Sequence, residues 1–426
     1  MLPLCGVEQR QVGTDILAKV DRFRTQDLSL GRDLTEVWAF GLGTGGWLSY
    51  YVGLDWLDDA RTIALRSEPK IMGLDMMRMF MDCLDSPATV SYLGEAYCVK
   101  AWEPFILCPR ESFDCTPFLV LHFLRLLGEL VKRPLMKGYT TRRENLRTKI
   151  KGKVVIGEHF RRNVLGMRPD RICCQYQDYT TDCAENRLLH TAYLVSMEAL
   201  SGWKRSGALR CGNIEEYSDI KPYFRGVGEV ESLREVTAAK ANPIYRNYGE
   251  ALGLARAIMK IQGYRDSLHE AVRDSRLAYF PPFVIDMSKL FELYVYSLLH
   301  EARGEAILYQ SKAAFGYTDF LDLDLKIVID TKYKPRYTGE GRDNGDDMRQ
   351  IAGYARDLKV LELLGIAGED RDQVVPCLII YPDSEGMGTL GPDYYEHRRQ
   401  DDTRFYKIDK LGVRLPILSS IDGTVP

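Results

Sequence analysis

Residues 318–334 read TDFLDLDLKIVIDTKYK, and their reading decides the fold. Ile327, Val328 and Ile329 form a run of β-branched residues that favours a buried strand, yet it leads straight into Asp330 and, one residue further, Lys332. Side chains two apart on a strand share a face. Asp330 and Lys332 are therefore expected to point the same way, with Thr331 facing the other layer. Asp319 lies near the start of the preceding strand, and a tight turn through Asp322 and Asp324 brings its carboxylate beside Asp330.

Outward from this stretch the order of elements is readable. A helix is expected over 286–303 (DMSKLFELYVYSLLHEAR), then three short strands near AILYQSK, TDFL and KIVIDTK. A helix around DDMRQIAGYARDLKVLELL, a strand VVPCLIIYP and a last strand near RFYKIDKL follow. This order predicts an α/β sandwich whose central strand carries Asp330 and Lys332.

Two carboxylates and an ammonium at a strand end suit metal-assisted phosphodiester hydrolysis. Mg²⁺ is a hard cation that prefers oxygen ligands. Asp319 and Asp330 supply two, and the backbone carbonyl of Thr331 a third. Lys332 is placed to orient the attacking water and to offset the anionic transition state. The competing reading is a strand-end ion pair, because Asp-x-Lys is common and recurs here at Asp219, Asp324 and Asp357. Glu292, an acid on an otherwise apolar helix, reads either as a further metal contact through water or as a solvent-facing position. Gln350 and Tyr354 share a helix face and read either as a brace for Lys332 or a contact to the nucleic-acid backbone, or as an ordinary pair on the surface. Tyr333, Lys334 and Arg336 continue past the site as candidate phosphate contacts, and Tyr354 joins them.

The rest of the chain sets bounds. At 426 residues with 45% hydrophobic and 27% charged residues, it is sized for two or three globular domains. The ten cysteines form no C-x-x-C pair and the six histidines are scattered, which argues against zinc. No leader or apolar span is evident, so a reduced, cytoplasmic protein with no membrane contact is expected. The formal net charge is −3, but Val131–Arg171 holds 5 Lys and 8 Arg against 2 Glu and 1 Asp. Such a segment suits a phosphate backbone or, alternatively, an acidic protein partner.

The first 115 residues, with EVWAF and WLSYYVGL, read as a strand-rich unit backed by a helix, and FLVLHFLRLLGELVKR (118–133) reads as a core helix. GLGTGG at 41–46 satisfies G-x-G-x-x-G through Gly41, Gly43 and Gly46, but a strand-like WLSYYVG follows where a phosphate loop needs a helix. It is read as a hairpin tip. NRLLHTAYLVSMEAL and YRNYGEALGLARAIMK have helical spacing and read as support helices, while 338–347 and 383–393 read as polar loops. The expected division is a strand-rich domain over 1–150, then helical support with a catalytic domain over 151–426, its core at about 286–415.

FPPFVIDMSKLFELYVYSLL, YTDF, IVIDTKYKPRY and DMRQIAGYARDL together resemble the nuclease domain of the McrC family, the endonuclease subunit of McrBC modification-dependent restriction systems. YTTRRENLRTKIKGKVVIGEHFRRN, TTDCAENRLLHTAYLV and SEPKI resemble it too. The resemblance implies a PD-(D/E)xK restriction-endonuclease-like fold. Asp319, Asp330 and Lys332 then take the places of the motif residues, Glu292 that of the leading-helix acid, and Gln350 that of the glutamine in Q-x-x-x-Y. Thr318 stands where the motif has proline, which only restricts φ. Mg²⁺, or Mn²⁺ in its place, is the implied cofactor. The implied partners are double-stranded DNA and an McrB-like hexameric AAA+ GTPase that recognises modified cytosine. The N-terminal domain is expected to dock on that motor and stimulate it. The chain has no Walker signature, so nucleotide chemistry falls to the partner. The alternatives are a non-catalytic adaptor with a nuclease fold and a stand-alone nuclease.

Overall fold

The computed structural model describes residues 4–7, 51–56, 61–109, 115–206, 217–230, 246–268, 277–314, 316–334, 345–366, 373–399 and 405–418. The GLGTGG stretch, Arg336 and most of the 338–347 loop lie outside them. In chain order the strands are β1 (Leu4–Val7), β2 (Tyr51–Trp56), β3 (Ala64–Glu68), β4 (Tyr97–Val99), β5 (Ile106–Pro109), β6 (Gly138–Arg147), β7 (Lys153–Val154) and β8 (Arg171–Thr180). Then follow β9 (Leu277–Phe280), β10 (Phe283–Asp286), β11 (Ile307–Lys312), β12 (Tyr317–Asp322), β13 (Ile327–Thr331), β14 (Cys377–Met387) and β15 (Ile408–Val413). The main helices are α1 (Met76–Asp85), α2 (Thr116–Val131), α3 (Ala184–Ser206), α4 (Arg246–Leu268), α5 (Met287–Arg303), α6 (Gly345–Tyr354) and α7 (Leu358–Leu363).

The chain groups into two compact units, one of Met1–Phe118 with Glu270–Pro426 and one of Leu119–His269. This grouping differs from the division expected near 150, and β10 gives the reason. Only four residues long, it lies between β2 and β4 in a sheet of order β1-β3-β2-β10-β4, so the N-terminal strands and the C-terminal segment share one sheet. Gly53 permits the fit: its φ is +145°, and a Cβ there would lie 2.2 Å from the Phe283 carbonyl oxygen.

β10 runs directly into α5. Asp286 ends the strand and caps the helix, its carboxylate accepting from the Lys289 N–H at 3.0 Å. The helix buries Leu290, Phe291, Leu293, Val295 and Leu299 and stops at Gly304, whose φ is +57°.

The second sheet has the order β11-β12-β13-β14-β15, antiparallel through β13 and parallel thereafter. Its two faces are distinct. Phe320 pairs with Ile329, and Phe320 packs with Tyr309 against Tyr296 of α5. Leu321 pairs with Val328, and both bury against Met348, Ile351, Val360 and Leu361 of α6 and α7. Helices thus cover both faces of a mixed sheet. Alternation along β12 and β13 produces this, because each strand offers an apolar side chain to each layer.

Two expectations are corrected. The helix expected across 346–364 is broken, because Asp357 leaves the first helix to cap α7 by accepting from the Lys359 N–H at 2.9 Å. The polar loop expected at 383–393 is strand as far as Met387, carried by pairing of Met387 with Val413 across an irregularity after Pro382. Neighbouring backbone overrides local polarity there.

In the other unit, β8 pairs with both β6 and β7, and α3 packs on α4. Buried Asn186 ties them together, donating to the Met136 and Thr181 carbonyls at 2.8 and 2.7 Å. Part of the positive charge of the 131–171 segment is offset locally, by Arg142 with Asp178, Arg147 with Asp170 and Arg162 with Glu158. No helix among the described residues is long and apolar enough to cross a membrane.

Candidate active site

The β12–β13 register pairs Phe320 with Ile329 and Leu321 with Val328. Continued by one step, it sets Asp319 opposite Asp330, where cross-strand Cβ atoms lie about 5 Å apart. Asp330 is buried, at 2% exposure, although its side chain is a carboxyl group. Its Oδ2 faces the Lys332 Nζ at 2.7 Å. Lys332 Nζ also donates to the Gln350 Oε1 at 3.1 Å, and Gln350 Nε2 reaches the Tyr354 hydroxyl at 3.4 Å. Four expected residues, Asp319, Asp330, Lys332 and Gln350, are therefore brought together, and Tyr354 stands behind Gln350.

Thr331 departs from expectation. Its N–H and its hydroxyl both donate to the Asp319 Oδ2, each at 2.7 Å, instead of facing away. Tyr333 is a second correction: its ring is buried, 5.8 Å from the Phe291 ring, and so is turned from any phosphate. Lys334 remains partly exposed and pairs with Asp347 at 2.7 Å.

Glu292, from α5, is mostly buried rather than solvent-facing. Its Oε1 accepts from Lys289 Nζ at 3.2 Å and from Gln310 Nε2 at 3.1 Å. Lys289 also reaches Glu95 at 3.1 Å and the Tyr309 hydroxyl at 2.7 Å.

The electrostatics follow from this crowding. Burial pushes the Asp319 carboxyl well above the usual carboxylate range, and the charges of Asp330 and Glu292 push it further, against the opposing bonds from Thr331. Burial likewise raises Asp330, while Lys332 pulls it down and Asp347 and Glu292 add to the rise. For Lys332, burial works against the charged form, but the carboxylates of Asp330, Asp319 and Asp347 more than compensate and hold the ammonium. Carboxyl groups thus outnumber the ammonium groups set among them.

That surplus fits a hard divalent cation. Asp319 Oδ1 and Asp330 Oδ1 are the oxygens not engaged by Thr331 or Lys332. Among the described residues no three His, Cys, Asp or Glu side chains converge as a ready cage. A cation here would rest on two carboxylates, backbone oxygen and water, a set natural to Mg²⁺.

Sequence reading missed Asp347, Lys334 as its partner, Lys289, Gln310 and Lys70. Asp347 precedes Gln350 by three residues, so helical spacing alone places both on one face. Lys70, in the SEPKI stretch, donates to the Tyr333 carbonyl at 2.6 Å and lies 4.4 Å from that ring's centre. No local pattern forecasts a contact spanning so much of the chain.

The model of the family described as McrBC 5-methylcytosine restriction system component matches residues 109–363, more than half of the chain. No curated protein matches. Similar solved structures include two from Thermococcus gammatolerans. One is a half-complex from a tetradecameric assembly of McrB AAA+ hexamers with bound McrC, at 13% identity and a TM-score of 0.38, covering 86% of this chain and 78% of that one. The other is the McrBC complex, at 13% identity and a TM-score of 0.29, covering 67% and 76%.

Proposed function

Because the chain belongs to the family of McrBC 5-methylcytosine restriction system components, we propose that it is the endonuclease subunit of such a system, a Mg²⁺-dependent enzyme that hydrolyses phosphodiester bonds of DNA alongside an McrB-like AAA+ GTPase. The supporting observation is the cross-strand Asp319 and Asp330 pair, with Lys332 fixed between Asp330 and Gln350. An ordinary strand-end ion pair needs neither the second carboxylate nor the glutamine.

In this reading the second sheet with α5, α6 and α7 is a PD-(D/E)xK sandwich. Bound Mg²⁺, for which Mn²⁺ substitutes, supplies charge stabilisation at the phosphate and a bound water of lowered pKa. Asp319 and Asp330 would hold it, and the Thr331 carbonyl would supply a further oxygen. Thr331 fixes the Asp319 carboxylate by its two donations. Lys332 keeps its proton among the carboxylates, orients the attacking water and offsets charge on the transition state. Gln350 sets the direction of the ammonium, and Tyr354 steadies Gln350. Lys334 and Arg336 remain the phosphate-contact candidates.

Recognition of modified cytosine and GTP hydrolysis belong to the partner, and docking is assigned to residues before 115. A deletion of those residues cannot test the assignment, since β2 and β4 are the two neighbours of β10 and its sheet would be stripped. Surface substitutions are required. The test of the proposal is cleavage of modified plasmid by wild type and Lys332→Ala, with the motor and GTP. Cutting that vanishes in the variant supports it. Undiminished cutting by Lys332→Ala overturns it, and stimulation of the motor without any cutting by either protein favours the adaptor.

A further inference from the structure

We propose that Gln310 is a positioning residue of this site, whose left-handed backbone turns its side chain to the α5 face, where its amide fixes the Glu292 carboxylate. The role rests on the nuclease reading above and extends it to a residue outside the motif.

Three observations converge. First, Gln310 has φ of +45° in the middle of a strand, a region that a side chain with a Cβ rarely adopts and that glycine fills without strain. Second, the β11–β12 ladder pairs Tyr309 with Phe320 and Ser311 with Thr318 but omits the step between, where Gln310 would meet Asp319. The interruption falls at the residue opposite a proposed metal ligand.

Third, the sheet's two faces explain what the distortion achieves. In an extended strand Gln310 would share the face of Asp319, which continues the Leu321 side packed on α6 and α7. Glu292 comes from α5, on the opposite face, where Tyr296 packs on Tyr309 and Phe320. Local irregularities of this kind re-aim side chains. The Gln310 amide meets the Glu292 Oε1 at 3.1 Å, and Lys289 Nζ meets the same oxygen at 3.2 Å. Two donors on one oxygen fix the carboxylate's rotamer and leave Oε2 outside both contacts. Lys289 is itself immobilised at 7% exposure by Glu95 and Tyr309, so Gln310 is the adjustable member of the pair. A glutamine kept in glycine's conformation makes sense if its amide is what the site uses.

The test is calorimetric titration of the full chain with Mg²⁺, together with its melting temperature, for wild type, Gln310→Gly, Glu292→Gln and the double variant. Gln310→Gly suits the backbone and removes the amide with the rest of the side chain. It is expected to melt at or above the wild-type temperature while binding Mg²⁺ about 10-fold more weakly, the loss typical of a residue supporting a ligand shell. In the Glu292→Gln background the same change is expected to add less than about 2-fold, because the two act as one unit. Unchanged Mg²⁺ affinity in Gln310→Gly overturns the role, as does a full loss that persists without Glu292. A wild-type chain that takes up no Mg²⁺ overturns the metal reading itself, and this role with it. That failure is told apart because it appears in the parent protein.

Discussion

Asp182 and Asp319 are both partly buried carboxylates, one in each unit, and their surroundings treat them in opposite ways. Asp182 is satisfied. Arg187 grips it with two hydrogen bonds at 2.7 and 2.9 Å and the Gly228 N–H adds a third at 3.0 Å, so its carboxyl is held down at about 2. Among the described residues Asp319 has only Thr331 as a donor and two carboxylates for company, and its carboxyl is pushed up. A structural carboxylate is surrounded by donors. One reserved for a ligand is left short of positive charge, at a cost to the free protein.

Asp322 sharpens the contrast, since it lies on the same strand as Asp319. Fully buried, it accepts from the Asp324 and Leu325 N–H groups and the Tyr394 hydroxyl, with Arg303 at 3.3 Å. Three residues along one strand separate an acid that closes a turn from an acid that the protein leaves unsettled.

The largest expected effect is on chemistry. Asp330→Asn should lower plasmid cleavage about 10³-fold or more, on the scale of losing one transition-state electrostatic group, while its melting temperature holds or rises. A cleavage defect matched by a collapse in stability would return Asp330 to the structural class. Next in size is ligand linkage. Mg²⁺ at 100 times its dissociation constant should stabilise wild type by about 2.7 kcal/mol, read as a rise in melting temperature that Asp319→Asn abolishes.

Stability against pH should run in opposite directions for the two acids. Asp319 has a folded pKa raised above its unfolded value, so its contribution is complete below about pH 4 and is lost as pH rises through the folded value. Asp182 is depressed, so its contribution is present above about pH 4 and is lost as pH falls through about 2. Melting curves without metal should therefore show that Asp319→Asn stabilises the chain most at alkaline pH and flattens its dependence there. Arg187→Ala should cost about 1–2 kcal/mol at neutral pH, discounted for the partial exposure of the pair. A stabilising Arg187→Ala would dissolve the comparison. The smallest effect is expected of Tyr354→Phe, whose hydroxyl contact with Gln350 is long; cleavage should fall by less than about 5-fold, near the energy of one weak hydrogen bond.

How much of this was legible beforehand depends on which residues carry it. β12, β13, α5 and α6 announce themselves by alternation and helical spacing, and the placements of Asp319, Asp330, Lys332 and Gln350 follow from that geometry. β10 was hidden because it is only four residues, FVID, abutting a helix. Its strand character comes from β2 and β4, far away in sequence. Gln310 was hidden because no residue type reports a left-handed φ unless it is glycine. Tyr333 misled for a similar reason, its ring being claimed by Phe291 of α5. Local pattern carries local geometry; pairing partners and backbone exceptions come from the assembled fold.

The most direct measurement is cleavage of modified plasmid DNA with Mg²⁺, the partner AAA+ protein and GTP, comparing wild type with Lys332→Ala at equal melting temperature. The account predicts cutting by wild type alone, with GTP turnover raised equally by both proteins. Equal cutting by the variant, or none by wild type while turnover rises, would contradict it.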